Sequence, residues 1–389
     1  MKNVLISIFT LVVVIIIGVF IWVPKMMDAN LNPVADHRPF KISSRAQKLH
    51  DSLIIGDWHA DTLLWSRNIA KKHYYGHVDL PRLQQGNVGL QMFTTVTKSP
   101  SGLNYDQNSA KSPDDITKLA LVQRWPSDTW TSLTARALHQ ADKLHLIEQQ
   151  NKDDLMIIKS VTDLENWLQQ RKSNRKLVGG LLGTEGSHAL DGKLENVEVL
   201  FDAGFRMMSL HHFFDNKLGG SLHGTTDAGL SEFGQLVVQR ILELNIILDV
   251  SHSSEKTVRD VLALSKRPLV VSHTGFKGHC NTARNISDKL MQDIAKNGGV
   301  IAIGYWQGAV CGYNPKAIVN AIRYGISLIG EDHISLGSDF DGSITAGFDT
   351  SELAAITQEM LIQGLTESQI RKVMGENMLK LLQNQLPKA

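Results

Sequence analysis

The chain has 389 residues, 42% of them hydrophobic and 20% charged, with a formal net charge of +1. These are the figures of an ordinary globular protein, with room for one large domain or two small ones. A charge so close to zero gives no reason to propose nucleic acid or an acidic polymer as a partner.

Residues 4–23 form an uncharged run broken only by the mild polarity of Ser7 and Thr10. About 20 residues at 1.5 Å each span a bilayer. The expectation is a transmembrane signal anchor over 1–25, with Trp22 at headgroup level. The rival is a cleaved signal peptide, but the run is longer than an ordinary signal core and no Ala-x-Ala site follows it. An anchor would tether the protein by a single N-terminal helix, with its catalytic part outside the cytoplasm, periplasmic or extracellular. Residues 26–45, polar and carrying Pro33 and Pro39, read as a linker. No second linker or repeat follows, which leaves 46–389 as one domain.

Eight short apolar runs stand out in that domain: 53–58, 88–94, 177–184, 205–211, 246–251, 268–272, 299–305 and 333–338. They are continuous rather than alternating, as parallel strands buried on both faces should be. Helix-like segments fill most gaps (192–203, 231–244, 254–265, 287–297, 314–329), several with Ser, Asp or Asn near their starts. Eightfold strand–helix alternation predicts a (β/α)8 TIM-type barrel. The gap from 96 to 176 is too long for one helix and should hold inserted helices, 133–150 the clearest, in part as a lid. A doubly wound open sheet would call for a glycine-rich phosphate turn after an early strand, and Gly179, Gly180 and Gly183 do not make one.

In a barrel the active site lies at the C-terminal ends of the strands. Those ends carry His59 and Asp61, then Glu185, His211 and His212, His252, His273, Tyr305 and Trp306, and Asp339 and Asp341. Imidazole and carboxylate suit zinc or a similar ion. One catalytic zinc needs three protein ligands. The surplus points to two metals sharing a bridging carboxylate, with a bridging hydroxide available at neutral pH. The two cysteines, Cys280 and Cys311, make no framework and read equally as a disulfide or as two free thiols.

The pieces Gly56-Asp57-Trp58-His59-Ala60-Asp61, Gly183-Thr184-Glu185-Gly186-Ser187-His188, Asp249-Val250-Ser251-His252, Ser272-His273, Ala283-Arg284-Asn285 and Gly337-Ser338-Asp339-Phe340-Asp341-Gly342 resemble, in this order and spacing, the membrane dipeptidase (renal dipeptidase-like) family of metal-dependent amidohydrolases. The resemblance covers roughly 50–380. It implies zinc-dependent hydrolysis of dipeptides by a binuclear site holding two Zn²⁺ per chain. His59 and Asp61 would hold one zinc, His252 and His273 the other, and Glu185 would bridge them. Asp339 would exchange protons with the nucleophilic water and the leaving amine. His212 would face the substrate carbonyl and stabilise the oxyanion, and Arg284 would clamp the terminal carboxylate. The family usually has Thr-His where this chain has His211-His212; Gly204-Phe205-Arg206 sets the register that selects His212. Trp306, with Tyr305 adjacent, stands where a substrate-facing tyrosine is expected.

His188 reads as either an orienting or a packing residue, Asp341 as a turn residue, His73 and His77 as solvated, and His139 and His145 as helix-surface residues. Trp125 and Trp130 read as ordinary packing. The partners expected are small dipeptides and, through the N-terminal helix, the membrane; a homodimer is left open. The alternative activity on the same metals is an N-acyl amino acid deacylase or another amide or lactone hydrolase. A scaffold on a decayed enzyme should have lost ligands, and none is missing here.

Overall fold

The computed structural model describes residues 2–388. Nine strands form one parallel sheet: β1 (Ile55–Ala60), β2 (Val88–Val96), β3 (Leu155–Ile157), β4 (Val178–Glu185), β5 (Phe205–Ser209), β6 (Ile247–Asp249), β7 (Val270–Thr274), β8 (Val300–Ile303) and β9 (Ile334–Leu336). Their order is β1-β2-β4-β5-β6-β7-β8-β9, with β3 off the path on β4. The ends meet where Asp339 N donates to His59 O (3.2 Å) and Asp61 N to Phe340 O (3.0 Å). The result is a nearly closed (β/α)8 barrel, so the open-sheet alternative fails.

The strands read as unbroken apolar runs because both faces are buried. On one face Leu90, Met92, Leu181, Met207, Ile247, Val270, Val300 and Ala302 gather with Trp58 and Met378 as the barrel interior. On the other, Phe93, Leu182, Met208, Leu248, Val271, Ile301 and Ile303 pack beneath the helices. Hydroxyl and amide caps start the helices where the sequence places them. Ser231, Ser254, Ser287 and Asn314 each accept a backbone N–H in the first turn of the helix that follows. The long insertion holds the helices Asp115–Val122, Leu133–Gln150 and Val161–Arg171, together with the short strand β3, which the sequence did not reveal.

The N-terminal expectation is corrected. Among the described residues no helix is long and apolar enough to cross a membrane. That withdraws the transmembrane anchor, the membrane as a partner and the membrane-anchored, extracytoplasmic placement built on it. The helix containing the apolar run does not stop near residue 25 but continues from Lys2 to Leu31. Its far end packs on the barrel: Asp28 is buried and paired with Arg67 (2.6 Å), and Met27 packs against the buried cluster that contains Leu64, Trp65 and Ile116.

Candidate metal centre and active site

Two aspartates shape the strand ends before any ligand is placed. Asp57 Oδ1 accepts His59 N (2.9 Å) and, from the end of β9, Ser338 N (3.1 Å). Asp249 Oδ1 likewise accepts Ser251 N (2.9 Å) and Ser272 N (3.0 Å). Each carboxylate thus turns its own chain two residues on and ties it to the neighbouring strand. The turns bring His59 and His252 over the barrel mouth, His252 in the left-handed region at φ 59°.

The three histidines expected as ligands converge on one oxygen, and His212, expected to face the substrate, joins them. Glu185 Oε1 lies 3.6 Å from His59 Nε2, 3.5 Å from His212 Nε2, 3.3 Å from His252 Nε2 and 3.5 Å from His273 Nε2. Asp61 Oδ1 is 3.5 Å and Asp339 Oδ1 3.9 Å from His59 Nε2. All are buried. Donor separations near 3.3 Å are the edges of a tetrahedron with bonds of ~2.0–2.1 Å, the reach of zinc. His59 Nε2 and Glu185 Oε2 are buried without a hydrogen-bond partner, a state that strongly disfavours folding unless something else binds there. The donor set fits a divalent cation.

The outer partners point the same way. Ser272 Oγ donates to Asp249 Oδ2 (2.7 Å) and lies 3.2 Å from His59 Nδ1 and 3.0 Å from His273 Nδ1. With its proton committed to Asp249, the hydroxyl accepts from both rings, which turns both Nε2 atoms toward Glu185. Thr94 Oγ1 holds Asp61 Oδ1 at 2.6 Å.

Without cations the charges are frustrated. Burial, then Asp61, drives the Glu185 carboxyl well above its usual range. Burial alone would lower His59, but Asp61, Glu185 and Asp339 outweigh it and hold the ring up at about 10. Burial, then Arg284, pushes His252 down; burial, then His59, does the same to His273. Burial, with Asp61 and Asp57 adding to it, raises Asp339 to about 7.

His212, not His211, faces this centre. His211 turns away to Ser253 Oγ (3.1 Å). His212 Nδ1 donates to Lys98 O (3.2 Å), so in the neutral ring Nε2 presents a lone pair. The cavity above, about 150 Å³, is also lined by Arg284, Trp306 and Asp339, with an apolar wall that includes Leu64, Val96, Ile116 and Ile344. The Arg284 guanidinium is buried, and its hydrogen bonds go to Thr274 Oγ1, His273 O and His252 Nε2, all neutral groups. Trp306 reaches the cavity, while Tyr305 packs in the core against Phe340 and Phe348. Trp306 Nε1 donates to the hydroxyl of Tyr105 (2.8 Å), a cavity residue from the insertion that carried no motif in the sequence. Cys280 and Cys311 are disulfide-bonded, and the bridge ties the Arg284 loop to the turn after Trp306.

His188 packs on Phe214 (4.9 Å), and neither of its nitrogens has a hydrogen-bond partner. His77 was expected in solvent and is instead fully buried, its Nε2 donating to Pro33 O (3.2 Å) and its Nδ1 accepting Asp341 N (3.0 Å).

Residues 43–388 match the profile of the membrane dipeptidase family, peptidase family M19. The chain belongs to the membrane dipeptidase family. As a member it is a metallodipeptidase, a hydrolase. It is 28% identical over 351 residues to the dipeptidase aclJ of Aspergillus oryzae, covering 84% of this chain and 76% of that one. Two solved structures share the fold. The probable dipeptidase PvdM of Pseudomonas aeruginosa has a TM-score of 0.73 at 19% identity, over 89% of this chain and 98% of that one. A Rhodobacter sphaeroides metallopeptidase liganded with a phosphinate mimic of L-Ala-D-Ala has 0.68 at 22% identity, over 86% and 99%.

Proposed function

We propose that this dipeptidase cleaves free dipeptides with two zinc ions, one on His59 and Asp61, the other on His252 and His273, with Glu185 between them. The observation that carries the reading is the convergence of four imidazole Nε2 atoms on Glu185 Oε1 within 3.3–3.6 Å. When bound, the ions lower the pKa of the attacking water toward ~7 and place positive charge beside the scissile carbonyl.

The chain's own groups do the rest. Asp339, buried with its Oδ1 3.9 Å from His59 Nε2, is placed to take a proton from the water and give it to the leaving amine. Burial lowers His212 to about 4. Its Nε2 lines the cavity beside the place where the oxyanion develops. Arg284, whose hydrogen bonds go to neutral groups, gains a charge-assisted partner when the carboxylate of a free C-terminus enters. Trp306 and Tyr105 border the same end of the cavity.

The test is amine release from L-Ala-L-Ala and L-Ala-D-Ala, each paired with its N-acetyl and C-amide forms, alongside the zinc content of the active protein. The reading expects two zinc per chain and cleavage of the free dipeptides alone. Cleavage of the acetylated forms would make the enzyme a deacylase, and full activity with one zinc would retire the binuclear site.

A further inference from the structure

The family profile begins at residue 43, yet the stretch just before it is built into the active site. The loop carrying Asp339 is held in an unusual shape: Asp339, Asp341 and Ser343 lie at φ 61°, 64° and 61°. The left-handed region disfavours L-residues, so such a loop persists only where its surroundings fix it. Thr62 Oγ1, Trp65 Nε1 and His77 bond to Asp341 directly, and residues 27–35 add to that hold. Asp28 accepts from Arg67 Nη1 with both oxygens (2.6 Å each), and Arg67 Nη2 donates to Asp341 Oδ2. Asn32 Nδ2 donates to Asp28 Oδ1 (2.9 Å) and its Oδ1 accepts Ser343 N (2.9 Å). Beyond it, Ala35 N donates to Ala346 O (2.8 Å) and Ala346 N to Pro33 O (3.2 Å). Asp28, Asn32, Arg67 and Asp341 are all buried. Met27 packs on the cluster of Leu64, Val96 and Ile116, the wall of the cavity.

We infer that residues 27–35 are a brace for the active site, with Asp28 and Asn32 as positioning residues that act on Asp339 through Arg67–Asp341 and the Ser343 amide. The inference rests on the proposed role of Asp339. Asp28 fixes Nη1 of the buried guanidinium whose Nη2 holds Asp341. Asn32 satisfies the amide that follows the loop's last turn. Without either, the loop relaxes from its left-handed shape and Asp339 shifts relative to the zinc ligands, none of which the brace touches.

The test compares Asp28→Asn, Asn32→Ala, Asp339→Asn and the control Met26→Ala in the full-length protein. Met26 lies on the same helix and is 56% exposed. The expected result is a kcat lowered on the order of 10- to 100-fold in Asp28→Asn and Asn32→Ala, the range of a small misplacement of a catalytic group. Zinc content and KM should change little, and Met26→Ala should match wild type. A fall in thermal stability with wild-type kcat in both brace variants, while Asp339→Asn is inactive, would overturn the brace alone. Full turnover by Asp339→Asn would overturn the reading of Asp339 and this inference with it. Asn32→Ala removes no charge, so the test stands if Asp28→Asn does not fold.

Discussion

At the scale of single residues, Ser272 shows how little chemistry orients a metal site. One hydroxyl, fixed by Asp249, sets the tautomers of His59 and His273, which the proposed function places on different metal ions. Ser272→Ala keeps both rings and removes the acceptor that turns their Nε2 atoms inward. Loss of such a partner lowers metal affinity about 10- to 100-fold. The expected outcome is weaker zinc binding at both sites, measured by competition with a chelator, and activity restored by excess zinc. His212→Ala should behave in the opposite way, keeping its zinc and losing kcat on the order of 10²- to 10³-fold, as when an oxyanion partner is removed. Equal zinc loss in both variants would make His212 a ligand. The motif Ser272-His273 was visible in the sequence. The sharing of its hydroxyl by His59 was not, because 213 residues separate the two partners.

At the scale of elements, the barrel was legible because each strand is buried on both faces and so reads as an unbroken apolar run ending in a polar residue. Strand β3 was not, since three residues carry no period. Residues 27–35 looked like a linker because their polar groups bond to distant loops rather than to each other. His77 looked solvated for the same reason: its partners, Pro33 and Asp341, are remote in sequence. The disulfide Cys280–Cys311 spans 31 residues, with Arg284 and Trp306 between its ends. Closing a loop of that size contributes about 3–4 kcal/mol in the chain-entropy account. Because the bridge holds the Arg284 loop and not the residues proposed to hold the metal, the double variant Cys280→Ser/Cys311→Ser should raise KM for free dipeptides several-fold. Its kcat and zinc content should stay near wild type. A kcat loss with unchanged KM would place the bridge's effect elsewhere.

At the scale of the whole molecule, a buried histidine outside the proposed metal site, His50, couples the fold to pH. His50 joins the helix Ser44–Ser52 to Thr357 near the other end of the chain (2.9 Å) and to Gly86 O (3.1 Å). Burial is the larger influence on it and lowers its pKa to about 4, against an ordinary 6.5. Between those values the unfolded chain binds a proton that the folded chain refuses. Stability from this residue is therefore complete above pH 6.5 and is lost as pH falls toward 4, on the order of 3 kcal/mol in all. Acid also protonates the residues proposed to hold the metal, so the slope of wild type alone does not isolate His50. The difference between wild type and His50→Gln does, since glutamine is neutral throughout and their contribution cancels. The stability of His50→Gln, from denaturant unfolding at steps between pH 7 and pH 4, should fall less steeply than that of wild type by up to one proton's worth of slope. Parallel curves would mean that His50 is protonated in the folded protein, and that the seam between the two ends of the chain opens before acid unfolds the rest.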